Sequence, residues 1–219
     1  MNRPRTPLLW AVACGAVSLI AWAAEPTGPS GPPVVAAQEE ADEYTRYELL
    51  DPTTSQFHIL YEVTATTPHA TVFLNPVRPG SEATGEAVFD AATGQRLAIS
   101  VVGGDVARKE GIPDAELSTH FIRVQLARPV PDPGGVRLLI EKTYKDTKSY
   151  YQDGPDRIVF DRPLGIRRDA IVLPLHYELI SCNVASQVHT EPSGRIVVSF
   201  FHPGPGAAAL VLKARRVGR

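Results

Sequence analysis

Side chains alternate between apolar and polar along almost the whole chain from Phe57 to Leu212, and that period of two restricts the fold more than any other feature. In "FHILYEVTA", Phe57, Ile59, Tyr61 and Val63 share one face, while His58, Glu62 and Thr64 fall mostly on the other. Successive side chains of a strand point to opposite faces, so such a segment is a half-buried strand. The pattern returns in "ATVFLNPV", "HFIRVQLARPV", "GGVRLLIEKTY", "DRIVF", "AIVL", "YELISC", "GRIVVSFF" and "AALVLKARRV". No segment holds a helical period. The best candidate for a helical turn is "DVARKEGIPDAEL", which Gly111 and Pro113 interrupt. Roughly nine or ten short strands, with turn signals about every ten residues, predict an all-β fold. An antiparallel β-sandwich, immunoglobulin-like or related, comes first and an open barrel second.

Turn chemistry suggests how the strands pair. "EAVFDAATGQRLAISVV" reads as a hairpin turning at Asp90 to Gly94, with Leu97, Ile99 and Val101 returning along one face. "GGVRLLIEKTY" is expected to pair with "HFIRVQLARPV" across the Pro131–Gly135 breaker cluster. The turns "EPSG" and "PGPG" frame a C-terminal pair, with Ile196, Val198 and Phe200 set against Leu210 and Leu212. In "DRPLGIRRDAIVLPLHYELISCN", Arg167, Arg168 and Asp169 read as a polar connection, and Ala170 to Leu173 as a run crossing the core. Tyr177 and Leu179 are expected on one side of the next strand, and Glu178, Ile180 and Cys182 on the other. Arg168 is expected to pair with Asp169 or Asp161 at the surface, a contact worth little. Every residue of that stretch then has a structural role.

Residues 1–24 contain Arg3 and Arg5, an apolar run from Pro7 to Ala24, and the small-x-small triplet Ala21-Trp22-Ala23. This is the form of a secretory signal peptide. The run also approaches the length of a spanning helix, so an uncleaved N-terminal anchor stays open beside it. Acylation at Cys14 fits poorly, because the apolar run continues beyond it. Residues 25–42, rich in proline, glycine and acidic residues, read as a disordered flexible linker, leaving residues 43–219 as a single β-sandwich domain. With the signal removed, Cys182 is the last cysteine, which excludes an internal disulfide and suits a small buried apolar residue. Loss of Arg3 and Arg5 leaves twenty basic against 24 acidic residues. That balance argues against a nucleic-acid partner, and a membrane partner is expected only if the N-terminal segment stays uncleaved.

Familiar catalytic patterns are missing from the sequence. The six histidines form no H-E-x-x-H motif, and no cysteine pair completes a structural zinc site, so neither metal nor cofactor is expected. His176 with Glu178, and His189 with Glu191, have the spacing of same-face strand neighbours but suit solvated strand ends. There is no G-x-S-x-G elbow and no phosphate loop between strand and helix. The stretch "EKTYKDTKSYYQDGPDRIVF" interleaves tyrosines with charges, and rings of that kind supply contact area at low entropic cost. Tyr144, Lys148, Tyr150, Tyr151 and Asp153 are therefore the candidate ligand- or partner-binding residues, with a structural hairpin as the competing reading.

"FDRPLGIRRDAIVLPLHYELISCNVASQV" followed by "GRIVVSFFHPGPG" resembles a signature of uncharacterised exported bacterial β-sandwich proteins. The order of the β segments is also similar to the β-rich, non-catalytic N-terminal modules that precede catalytic domains in some secreted peptidases. The first resemblance spans most of residues 43 to 216 and the second rests on β pattern alone. Neither brings a catalytic residue, since the zinc and general-base motifs of such peptidases are absent here. The expectation is an exported, periplasmic or extracellular, non-catalytic binding or interaction module whose partner is an unknown protein or envelope component. A hydrolase or carbohydrate-active protein, its site assembled from distant strands, is the alternative.

Overall fold

A computed structural model describes residues 35–218. The signal or anchor segment, Cys14 and the linker up to residue 34 lie outside the described residues. In chain order the elements are β1 (Glu40–Leu49), β2 (Gln56–Ala65), β3 (Val72–Pro76), β4 (Glu82–Asp90), β5 (Ile99–Gly103), α1 (Gly104–Lys109), β6 (His120–Gln125) and β7 (Val136–Lys145). They continue with β8 (Tyr150–Gln152), β9 (Arg157–Leu164), β10 (Arg168–Val172), β11 (Tyr177–Cys182), β12 (Gln187–Thr190), β13 (Ile196–Phe201) and β14 (Ala208–Arg216). The described residues are nearly all β, and the one α-helix among them falls in the segment singled out for a helical turn.

The strands form three sheets. A seven-stranded sheet has the order β12-β13-β10-β1-β2-β7-β4, a four-stranded sheet β11-β14-β9-β8, and a three-stranded sheet β3-β6-β5. The alternation in β2 is regular: Phe57, Ile59, Tyr61, Val63 and Ala65 are buried and their neighbours half-buried. One core draws on all three sheets, with Phe57 and Ile140 from the large sheet, Phe160 and Leu212 from the second, and Phe73 and Val124 from the third. Both small sheets thus pack against one face of the large sheet, as in a sandwich. Full burial of side chains of this size contributes about 1.5–3 kcal/mol each.

Several expected pairings are replaced. β6 bonds to β3 and β5, whereas β7 bonds to β2 and β4, so the two segments flanking the Pro131–Gly135 cluster lie in different sheets. After the Asp90 turn a single bridge, Phe89 with Arg96, holds the returning chain before it leaves for the small sheet. Leu97 is buried there, but Ile99 and Val101 are exposed. The C-terminal segments are not hydrogen-bonded partners either, since β13 belongs to the large sheet and β14 to the four-stranded one. Their inner side chains still share the core, so the apolar faces were identified correctly and the backbone partners were not. An apolar face can be satisfied by any layer opposite it, and alternation carries no information about which strand supplies the hydrogen bonds.

Three further differences concern β10, β1 and β11. Ala170 to Leu173 is fully buried as expected, but β10 runs parallel to β1, the one parallel pair in the described sheets. Asp169, expected in a polar surface connection, lies inside that strand and is 1 % exposed. At the N-terminal end, β1 starts at Glu40, and Gln38 is already fixed, its amide donating to the Gly111 carbonyl and its side chain bonding both backbone groups of Leu74. In β11 a register shift between Leu179 and Ser181 turns Cys182 back toward the core beside Leu179, rather than to the opposite side.

Candidate functional site

A cleft of about 320 Å³ opens where both small sheets meet the inner face of the large one. Strands β1, β2 and β7 supply its floor, the end of β3 with Asn75 and Arg78 one wall, and the end of β9 with Arg162 to Ile166 the other. Its lining includes Glu40, Glu43, Arg78, Lys142 and Arg162, an unusual number of ionisable groups for space at the edge of a core.

Local backbone geometry explains the acidic end. Residues three apart on a regular strand face opposite sides. The register of β1 against β2 shifts between Ala41 and Tyr44, and Asp42 adopts a left-handed conformation with φ 53°. This bulge places one extra residue in β1, so that Glu40 and Glu43 both turn into the cleft. Glu43 accepts a 2.7 Å hydrogen bond from the Tyr61 hydroxyl. Burial, then the charges of Glu40 and Glu43, drive the Tyr61 phenol well above its usual range, which keeps it a donor. Desolvation and then Glu43 raise the Glu40 carboxyl to about 7. The residue as a whole is exposed at the mouth, so water screens part of that effect.

Behind this end sits Asp169. It pairs in register with Thr45 on one side and Phe200 on the other, two residues before Ile171 of the core, so its carboxyl faces inward. Neither carboxylate oxygen has a hydrogen-bond partner. Desolvation first, and Glu43 second, raise it to about 7. Buried polar groups are nearly always satisfied, which makes Asp169 the group without a structural role that sequence reasoning did not locate.

The basic end is built differently. Arg162 is 4 % exposed and its guanidinium carbon lies 5.2, 5.5 and 5.9 Å from the ring centres of Phe57, Tyr144 and Tyr47. It also bonds Asp146 at 3.2 Å and Ser149 at 3.3 Å, so its charge is answered within the fold. Lys142 is 5 % exposed and donates to the Asn75 amide oxygen at 2.6 Å. Among the described residues it has no ion-pair partner. Burial, helped by the neighbouring Arg162 charge, pushes its ammonium down to about 8. At neutral pH this is a buried cation with one neutral acceptor, the face of the Tyr144 ring 5.3 Å away, and donors to spare.

The tyrosine-rich stretch does not form one surface. Tyr144 is 2 % exposed and lines the cleft, its hydroxyl accepting from the Arg78 amide at 3.2 Å. Tyr150 is a core residue, 0 % exposed and bonded to the Leu50 carbonyl at 2.9 Å. Lys148, Tyr151 and Asp153 are exposed at the hairpin. Glu178 bonds Arg215, and Glu191 pairs with Arg46 at 2.8 Å, while His176 and His189 stand exposed. Arg168 donates to the Glu43 carbonyl rather than to Asp169 or Asp161. Among the described residues no three His, Cys, Asp or Glu side chains gather as metal ligands.

No family model matches the chain, and no curated protein matches it either. Solved structures do. An M1 zinc metallopeptidase from Deinococcus radiodurans is similar over 82 % of this chain and 42 % of its own, with 10 % identity and a TM-score of 0.50. A "putative nutrient binding protein" from Legionella pneumophila is similar over 82 % of this chain and 67 % of its own, with 9 % identity and a TM-score of 0.44. This chain spans less than half the length of the peptidase. At 10 % identity the likeness to the peptidase is one of fold, and at that level it matches the resemblance to the β-rich, non-catalytic N-terminal modules of peptidases.

Proposed function

We propose that the chain is a non-catalytic binding module and that it takes a small polar ligand in the cleft between its sheets. The observation carrying this is Lys142, a buried ammonium facing a cavity with no counter-ion among the described residues. A buried, unpaired charge destabilises a fold, and its retention beside open space suits a site that is completed from outside. The cleft lining contains no Ser, Cys or His, the commonest nucleophiles and bases of hydrolases. The exposed Lys148, Tyr151 and Asp153 are a separate proposed contact for a protein or envelope partner.

Export belongs to the same proposal and is supported by Arg3, Arg5 and the apolar run ending at Ala21-Trp22-Ala23. Intact-mass measurement of the cell-derived protein should find the N-terminus just after Ala23 or Ala24. A chain still starting at Met1 favours the anchor. For the cleft, a panel of small metabolites is scanned by melting-temperature shift. At least one saturable hit should disappear in Lys142→Met and persist in Tyr151→Ala. Hits equally strong in Lys142→Met would place binding elsewhere.

A further inference from the structure

The two ends of the cleft carry opposite charges that do not meet. Glu43 lies on β1 and Lys142 on β7, two strands apart, because Lys142 is opposite Ile59, which is opposite Tyr47. Glu43 is four residues before Tyr47. With strands about 4.8 Å apart and a rise of about 3.3 Å per residue, the two backbones are roughly 16 Å apart. No ion pair spans that gap, and Glu40 and Glu43 have no cationic partner among the described residues. The Asp169 carboxyl, buried and without a hydrogen bond, lies behind the acidic side.

We infer that the ligand is an extended amphoteric molecule, with a carboxylate or phosphate seated on Lys142 and an ammonium seated between Glu40 and Glu43. This rests on the cleft being the binding site and adds the chemical class that fills it. A simple anion would satisfy Lys142 but leave the carboxylates facing one another across water or apolar surface. A simple amine would do the reverse. A polyanion meets repulsion from Glu40 and Glu43, and opposed like charges are an effective means of exclusion. Only a molecule bearing both signs, held apart by a spacer, answers both ends, and Tyr61 is left free to keep its bond to Glu43.

Straight-chain ω-amino acids from γ-aminobutyrate to ω-aminooctanoate serve as a molecular ruler in calorimetric titrations, with octanoate and octylamine as half-charged controls and octyl phosphate testing the second anion. Affinity should rise with spacer length. The best amino acid should exceed both controls by about tenfold or more, the effect of one charge-assisted contact. Lys142→Met, an apolar replacement of similar length, should lose octanoate and retain octylamine. The double variant Glu40→Gln with Glu43→Gln should do the opposite, and melting curves of both establish that they fold. If octanoate binds as tightly as its amino derivative, with Lys142 required, the cleft stands and the amphoteric ligand is refuted. If none of these probes binds while the metabolite panel gives a Lys142-dependent hit, the ligand class is again refuted. Binding nowhere in the cleft overturns the site itself.

Discussion

Replacing Asp169 by asparagine tests the most unusual feature of this fold. The carboxyl is 1 % exposed, has no hydrogen bond to either oxygen, and is raised from the ordinary 3.8 to about 7. The native state therefore holds this proton at pH values where the unfolded chain has released it. Between about pH 4 and 7 the native state binds more protons, so stability falls as pH rises through that window and is flat above it. At about 1.4 kcal/mol per pH unit, the span corresponds to about 4 kcal/mol. An asparagine side chain cannot ionise, so the wild type and Asp169→Asn should be of similar stability near pH 4 and diverge steadily above it. By pH 8 the variant should be more stable by about 2–4 kcal/mol, the lower figure allowing for unmet hydrogen bonds of the amide. For a domain of this size that is roughly 5–15 °C in Tm. Urea unfolding from pH 4.5 to 8.5, with unchanged slopes, reads the difference directly. Parallel curves, or a variant less stable at pH 8, would mean that the carboxylate is satisfied in solution and that its isolation is not real.

Further outcomes follow from the same contacts. Lys142→Met should flatten the rise in stability expected between pH 8 and 10.5, where the unfolded chain still holds the lysine proton. At pH 7 its net effect in urea unfolding should be small and favourable, because relief of the buried charge is partly offset when Asn75 loses its donor. Arg162→Leu should cost about 3–5 kcal/mol in chemical denaturation, because it removes the buried ion pair with Asp146 and empties the ring of three aromatics. Tyr150→Ala should cost a similar 3–5 kcal/mol, whereas Tyr151→Ala should stay within about 0.5 kcal/mol. Equal losses for the two tyrosines would contradict their placement.

Much of the candidate site was hidden for an identifiable reason. Tyr144 stood out as a ring among charges, and it does line the cleft, but in the wall of the cavity rather than on a recognition hairpin. Lys142 is the i−2 neighbour of Tyr144 and so shares its strand face, a relation that strand periodicity contains and that the eye passes over in a charged run. Glu40 and Glu43 were legible only as acids at a linker's end, because three-residue spacing puts them on opposite faces unless a bulge intervenes. Asp169 resembled an ordinary turn residue beside two arginines. Its burial depends on β10 being inserted between β1 and β13, which no local pattern encodes.

By itself the amino-acid sequence determined that strands form the layers, which side chains turn inward along β2, β6 and β13, and that one short helical turn sits after β5. Those are properties of nearest neighbours, and a period of two records them faithfully. The tertiary structure alone decided which strand bonds to which, that three sheets share the core, and that charges from β1, β7 and β9 border one cleft. Pairing is chosen by backbone hydrogen bonds and by the packing of distant layers. Neither leaves a signature in any one segment of the chain.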